Sequence, residues 1–541
     1  MMANSGHADL VILGGNVITV DPAKPKAQAV AVKFGKILTV GQDDELKPLV
    51  GANTRVVDAR GRTVIPGLID AHCHVMAAGR RQLQVDCSPN AVSSIAEIKE
   101  AIADTARTTL KGEWIQGTGY DDTKMVENWY LNRADLDEVA PDHPVWVRHV
   151  GGHMSTTNSF GLRLANLTKD SPDPVGGRYG RDPDTGELNG VIYEAAQRMF
   201  TGGSNPLIPY PTPEQDREAI KWVCNQAASI GLTSFTDAMV DPIMLRAYQA
   251  ALASGELTIR TYMLVSVDSL DYLINAGLQS GFGNNVLRLG AIKIVADGAI
   301  AGRTAYLSEP YIGTKDDYGI LAISPEVLNE RIMTAHKAGF QIAVHANGDK
   351  CIELTLGAYE KALQAYPREN HRHRIEHCTV VNPELLARIK RLGVAAVPFG
   401  SYIYYHGEKM GYYGAKRLSM MFAHRSFLDM GIPVAGSSDH TCAPWFPLAG
   451  IQSCVTRKSY TGELLAPEQR LTPEEALMVY TMGGAYASFE EKIKGSIEIG
   501  KLADLVILAE DLTKVDPESI KDIPVVATIV GGESVYENEL A

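Results

Sequence analysis

The chain has 541 residues, more than one ordinary compact core accommodates, so at least one large domain with a smaller companion is expected. Its 51 basic and 64 acidic residues leave a net charge of −13, with no Lys/Arg run, which argues against nucleic acid or an anionic membrane as the main partner. No apolar run reaches the length of a membrane span, and the start Met1-Met2-Ala3-Asn4-Ser5 lacks the positive region of a secretory signal, so a cytoplasmic protein is expected. The cysteines (Cys73, Cys87, Cys224, Cys351, Cys378, Cys442, Cys454) are scattered and form no Cys-x-x-Cys pair, which reads as reduced thiols rather than a disulfide framework.

Residues 9–65 read as short strands with turn signals between them: Asp9 to Val20 broken at Gly14-Gly15, Ala27 to Val40 with a turn at Gly35-Lys36, and Thr54 to Ile65 with a turn at Gly61. A longer apolar strand, Val64–His74, follows. Residues 80–211 do not fit a simple βα unit. They hold a helix-like Ser93–Thr109, strand-like Glu113–Gly117 and Pro144–His149, and a Gly/Pro/Asp-rich run from Ser171 to Gly190.

From residue 212 the pattern alternates helix and strand. Four helix starts share an N-cap acceptor, proline at the first helical position and acid in the first turn: Thr212-Pro213-Glu214, Ser324-Pro325-Glu326, Asn382-Pro383-Glu384 and Thr472-Pro473-Glu474. Between them lie buried-looking apolar strands: Thr233–Thr236, Thr258–Ser266, Leu287–Val295, Gln341–His345, His373–Cys378, Val394–Pro398 and Pro433–Ser438. With Val64–His74 they make eight, and predict a (β/α)8 TIM barrel over residues 66–489. Residues 80–211 become an insertion after strand one, covering the barrel mouth. Strands recur at Leu505–Leu508 and Val525–Val530, so residues 1–65 and 490–541 are expected to combine into a small β-sandwich domain.

Residues i and i+2 of a strand share a face, so His72 and His74 project side by side and suit one divalent ion, while Cys73 points the other way. Lys293 stands near the end of strand four, His345 ends strand five, His377 ends strand six and Asp439 follows strand eight. In this barrel class the active site lies at the carboxyl ends of the strands. A single histidine there is most often a hydrogen-bonded core residue; six candidate ligands on one rim point to a metal centre.

These residues, in this order, resemble the amidohydrolase superfamily, and within it the branch called amidohydrolase family 3 or YtcJ-like, which includes N-substituted formamide deformylases. The resemblance runs from Gly61-Arg62-Thr63-Val64-Ile65-Pro66-Gly67-Leu68-Ile69-Asp70-Ala71-His72-Cys73-His74 through Gly151-Gly152-His153 and Asn158-Ser159. It continues in Lys293-Ile294-Val295-Ala296-Asp297-Gly298, Thr304-Ala305-Tyr306-Leu307 and Pro310-Tyr311, and ends in Gly500-Lys501-Leu502-Ala503-Asp504-Leu505. It implies a divalent metal, zinc, at one or two ions per chain. His72 and His74 would hold the more buried ion and His345 and His377 the second. Lys293, carboxylated by CO2, would bridge the two. Asp439 would bind metal and act as general acid/base toward a metal-activated hydroxide. A lysine placed in the apolar run Ala291-Ile292-Lys293-Ile294-Val295 would be costly as an unpaired charge, which favours a ligand.

The expected reaction is hydrolysis of a non-peptide C–N bond in an amide, formamide, carbamate or cyclic amide. The alternatives are a deaminase, which commonly lacks a lysine at strand four, an ester or lactone hydrolase on the same site, and a non-catalytic scaffold, which usually lacks ligands present here. Substrate contacts are expected at His153 in the insertion, at Tyr120 in Gly119-Tyr120-Asp121, at Arg303, and at Tyr402 and Tyr404 in the loop after strand seven. Each has a plainer alternative: a loop histidine, an ion pair for Arg303, packing for the tyrosines. A small-molecule substrate with aromatic character is the expected partner, with no nucleic acid or membrane, in a chain that suits a homodimer.

Overall fold

The computed structural model describes residues 6–127, 130–149, 154–174, 177–201 and 206–538. The chain forms two compact units, one of Met1–Met76 with Ile220–Ala541 and one of Ala77–Ala219.

The larger unit is organised around seven parallel strands: β1 (Leu68–Cys73), β2 (Leu232–Val240), β3 (Arg260–Ser266), β4 (Leu287–Val295), β5 (Ile342–Ala346), β6 (Arg374–His377) and β7 (Ala395–Val397). Each is hydrogen-bonded to the next in chain order, giving a nearly closed barrel. The eighth expected strand is not a full one. Residues 433–438 bridge both edges without forming a named strand: Ala396 N–H donates to Pro433 O at 2.9 Å, Ala435 N–H to Ala396 O at 3.0 Å, Gly400 N–H to Ser437 O at 2.8 Å, and Ala71 N–H to Gly436 O at 3.0 Å. Pro433 brings no N–H of its own, so no continuous ladder builds there.

The expected strand Val64–His74 is also cut in two. Thr63–Pro66 pairs antiparallel with Leu505–Leu508, and only Leu68–Cys73 enters the barrel. The break falls at Pro66-Gly67. A Cβ on Gly67 would lie 2.0 Å from Thr233 Oγ1, so glycine is what lets β1 start this close to β2.

The four helix starts are formed as expected. Asn382 accepts from Leu385 N–H at 2.9 Å, Thr212 from Gln215 N–H at 3.2 Å and Ser324 from Val327 N–H at 3.4 Å. Thr472 accepts from Glu475 N–H at 3.2 Å while the Glu475 carboxylate takes Thr472 N–H at 2.8 Å, a reciprocal pair. Thr472→Ala is expected to cost about 1 kcal/mol, read as a lowered urea midpoint at unchanged slope. An unchanged midpoint would show that the cap contributes nothing.

Both chain ends share one sheet. Its six strands run Glu533–Glu537, Val525–Val530, Leu505–Leu508, Thr63–Pro66, Asn16–Ile18 and Lys26–Ala27. A four-stranded sheet (Lys36–Gly41, Ala29–Lys33, Leu10–Leu13, Arg55–Asp58) contributes Leu10, Ile12, Val30 and Val32 to an apolar cluster with Val64, Leu505 and Ile507 of the first. Arg260, at the start of β3, donates from Nε and Nη2 to both Asp504 oxygens at 2.7 and 2.8 Å, and both residues are buried.

The smaller unit has its own six-stranded mixed sheet, in the order Gly177–Arg181, Leu188–Glu194, Met154–Thr157, Val145–His149, Ile115–Tyr120, Val85–Asp86. A helix, Ile95–Thr108, capped by Ser94, buries Ile95, Ile98 and Ile102 in a core with Ile115, Val145 and Val147. Within and just after the Gly/Pro/Asp-rich run, Gly177–Arg181 and Leu188–Glu194 pair as an antiparallel hairpin. Among the described residues no helix is long and apolar enough to cross a membrane.

Candidate metal centre

Strand alternation puts His72 inside the barrel at the end of β1, fully buried, with His74 just beyond it, ring centroids 5.4 Å apart. Each ring is turned by its Nδ1. That of His72 pairs with the Glu376 carboxylate, and that of His74 donates to Ala238 O at 3.2 Å. Their Nε2 atoms then converge on Asp439 Oδ1, at 3.6 Å from His72 and 3.2 Å from His74. The ligand atoms of these three residues lie within 4.8 Å of one another. Lys293 Nζ stands 3.4 Å from His72 Nε2. The His377 ring is 5.0 Å from His72 and 4.5 Å from His345. All six expected ligands therefore meet at one rim.

The electrostatics suit a cation. Burial, helped by the Lys293 ammonium, pushes the His72 imidazole down to about 4 and His345 down to about 3, and burial takes His377 well down too. Imidazoles held neutral are in their ligating form. Burial opposes protonation of His74, but its contact with Asp439 raises it. Burial pushes the Asp439 carboxyl up, yet the surrounding imidazoles of His377, His74 and His72 hold it well below the usual range. Burial lowers Lys293 to about 8 against the pull of Glu376 and Asp439.

Two buried atoms in this cluster, Asp439 Oδ1 and His377 Nδ1, have no hydrogen-bond partner among the described residues. His74 Nε2 meets Asp439 Oδ1 at 3.2 Å as an ion-pair contact. Leaving each buried and unmet costs about 1–3 kcal/mol. A carboxylate, imidazoles and a lysine around two orphaned acceptors fit a divalent ion of the zinc type.

The backbone is strained where the ligands stand. His377 (φ 71°), Cys378 (φ 41°) and Asp439 (φ 51°) all occupy the left-handed region, which L residues enter at a cost of about 1–3 kcal/mol each. Such turns swing the side chains at these strand ends inward. Glu376 and Arg374 hold the rim from beneath. Arg374 donates from Nε to Glu376 Oε1 at 2.7 Å and from Nη2 to Oε2 at 2.8 Å, and also from Nη2 to Ala71 O at 2.6 Å on β1. Burial pushes Glu376 up, but Arg374 and His72 keep it ionised.

Neither Arg374 nor Glu376 was among the expected site residues. Their signal was available: two opposite charges at i and i+2 inside a buried strand must pair, and the glutamate directly precedes a ligand histidine. Asp297 serves its loop, as three N–H groups, of Tyr306, Asn347 and Gly348, donate to it at 2.8–3.0 Å. Phe399 was missed too; it stacks on His377 at 4.2 Å between centroids.

The residues expected to contact substrate have packing or hydrogen-bond partners of their own where they are described. Tyr402 is buried against Phe399 and Phe422, its hydroxyl accepting Ala301 N–H at 3.1 Å. Tyr404 packs edge-on to Tyr405. Arg303 pairs with no acid among the described residues; its guanidinium lies 4.1 Å over the Tyr412 ring. Tyr120 belongs to the core of the smaller unit, where its hydroxyl accepts Leu131 N–H at 2.8 Å. His153 lies outside the described residues.

The sequence profile of the amidohydrolase family matches residues 55–536. The chain belongs to the amidohydrolase family. It is a metal-dependent hydrolase of carbon–nitrogen bonds, which bears out the resemblance read from its motifs. It is 32% identical over 541 residues to YtcJ of Bacillus subtilis, covering 97% of this chain and 98% of that one. It is 30% identical over 539 residues to the N-substituted formamide deformylase of Arthrobacter pascens, covering 98% of each. Among solved structures, an uncharacterized metal-dependent hydrolase from Pyrococcus horikoshii superposes with a TM-score of 0.80 at 25% identity, over 94% of this chain and 99% of that one.

Proposed function

We propose that this amidohydrolase cleaves the C–N bond of a small N-substituted formamide or related amide in the cytoplasm, with zinc held by His72, His74, Lys293, His345, His377 and Asp439. The observation that carries the reading is the orphaned, buried Asp439 Oδ1 facing the Nε2 atoms of both His72 and His74. Zinc, when bound, supplies Lewis-acid polarisation of the scissile carbonyl and acidifies water. Asp439, held as a carboxylate, takes the proton of the attacking water and returns it to the leaving nitrogen. Glu376 and Ala238 O keep the two Nε2 atoms aimed inward throughout.

Lys293 has the character that carboxylation needs. Its burial-lowered value of about 8 leaves a neutral amine fraction near neutral pH. That amine adds CO2 and releases a proton, giving a carbamate whose single negative charge is shared by two oxygens. The formamide choice rests on the likeness to the Arthrobacter pascens enzyme. The cytoplasmic choice is supported by seven free cysteines, six of them buried.

A screen of N-formyl, N-acyl, carbamate and lactam compounds, read as released amine, tests the reaction. Turnover of an N-substituted formamide is expected; release of amine from none of the four classes would overturn the reading. After reconstitution with zinc and bicarbonate, at least one zinc per chain is expected, and Lys293→Met is expected to bind less. Full zinc content in Lys293→Met would remove the lysine from the ligand set.

A further inference from the structure

The opposite end of the barrel holds a second recess, of about 310 Å³. It is lined where strands begin rather than end: Tyr262 near the start of β3, Arg288 near the start of β4, Gln341 just before β5, and Arg368 and His371 in the approach to β6. The metal-centre residues stand at the other, carboxyl-terminal rim.

The polar neutral groups of this recess are already engaged. Tyr262 donates to Gln341 Oε1 at 2.8 Å, and the Gln341 amide donates to Arg372 O at 2.6 Å and Ala487 O at 2.9 Å. His371 donates from Nε2 to Leu392 O at 2.7 Å and accepts His373 N–H at Nδ1, so both its nitrogens are spent and the ring is neutral.

The two arginines are not balanced. Arg288 Nε is buried and has no hydrogen-bond partner among the described residues. Its nearest carboxylate, Glu490, makes only a loose ion pair, with Oε1 at 3.7 Å, and shares its charge with Lys494, which meets Oε2 at 2.6 Å. Among the described residues Arg368 reaches only backbone carbonyls, donating from Nη1 to Phe340 O at 2.9 Å and from Nη2 to His336 O. Burial lowers its guanidinium, as expected of a cation without a counter-charge. The neighbouring Arg372 differs, being neutralised by both Glu491 oxygens at 2.7 and 2.8 Å. In a chain of net charge −13, a recess with one guanidinium that meets no carboxylate among the described residues and a second that is only loosely paired is a local exception.

We propose that this recess binds a small oxyanion, a carboxylate or phosphate group, between Arg288 and Arg368 at the face of the barrel away from the metal centre. Arginine presents planar forked donors to carboxylate and phosphate alike. A volume near the lower limit of small-molecule sites admits a small anion and not a nucleotide.

The test uses the zinc-loaded enzyme, with inorganic phosphate and succinate as probes and chloride at matched ionic strength as control. Binding is followed by calorimetry. Saturable binding of at least one probe is expected, weakened at least tenfold in Arg288→Gln and in Arg368→Gln. Amide-hydrolysis kcat should be unchanged in both variants without probe. The two probes separate phosphate from carboxylate as the preferred group. Asp439→Asn, at the other rim, reports anions captured at the metal centre, and it should leave this binding intact. Binding lost in Asp439→Asn but kept in both arginine variants would overturn the proposal, as would binding of neither probe beyond chloride. Because affinity is compared, not melting temperature, a stability loss in Arg288→Gln does not mimic the result. Failure here leaves the hydrolase reading untouched, since that is decided by released amine.

Discussion

Asp439→Asn is expected to lower kcat by about 10²–10⁴-fold, the range for loss of a positioned acid/base, with KM changed by much less. Asparagine is the informative substitution. Position 439 has φ 51°, a conformation that aspartate and asparagine tolerate far better than alanine, so the turn survives. The backbone N–H of residue 439 also keeps its 2.9 Å bond to His72 O. What is lost is a carboxylate able to shuttle a proton, and one anionic ligand atom. Zinc content measured alongside kcat separates the two: a variant that binds zinc yet turns over slowly assigns the loss to proton transfer. Wild-type kcat in this variant would remove Asp439 from the mechanism.

Glu376→Gln is expected to destabilise the fold by about 3–5 kcal/mol, because it leaves the buried Arg374 guanidinium without its counter-charge. Both side chains are completely shielded from solvent. The same change loosens His72, whose Nδ1 now pairs with Glu376, and should weaken zinc binding by about 10–100-fold. The two effects come apart in the double variant Arg374→Met, Glu376→Met. Removing both charges should restore most of the stability while leaving zinc affinity low. Urea midpoints and zinc titrations on the three proteins read the cycle. A Glu376→Gln protein within about 1 kcal/mol of wild type, with unchanged zinc affinity, would refute the positioning role.

The sequence carried the candidate ligands more clearly than the residues packed beneath them. His72, Lys293, His345, His377 and Asp439 were legible because apolar runs ending in a polar residue mark strand ends, and the barrel puts strand ends together. Helix starts were legible because Thr472 or Asn382 followed by proline and acid acts locally. The supports depend on distance partners. Nothing near Arg374 in the chain announces that its Nη2 reaches Ala71 O, because that contact forms only when the first and sixth strands share an interior. The closing segment 433–438 has the apolar content of a strand, but its pairing is limited by a proline and by what two neighbours leave free. Pro66-Gly67 was in view as part of a motif, and its role as the point where one run changes sheets needed the close approach to Thr233. The tyrosines after strand seven show how much a rim residue's surroundings depend on the fold. Aromatic side chains near a rim serve packing as readily as binding, and the hydroxyl of Tyr402 is occupied by Ala301 N–H.

The sheet built from both chain ends also shapes how the protein is made. Thr63–Pro66 leaves the ribosome well before its partner Leu505–Leu508, from which the whole barrel sequence separates it. For the tens of seconds that synthesis of the intervening residues takes, the first of these strands has an open, apolar edge on that side. Asn16 waits as long for Asp511, to which it finally donates at 2.9 Å. The nascent chain therefore passes through an aggregation-exposed stage that a barrel with self-contained ends would avoid, and its yield in the cell should respond to chaperone supply and to growth temperature.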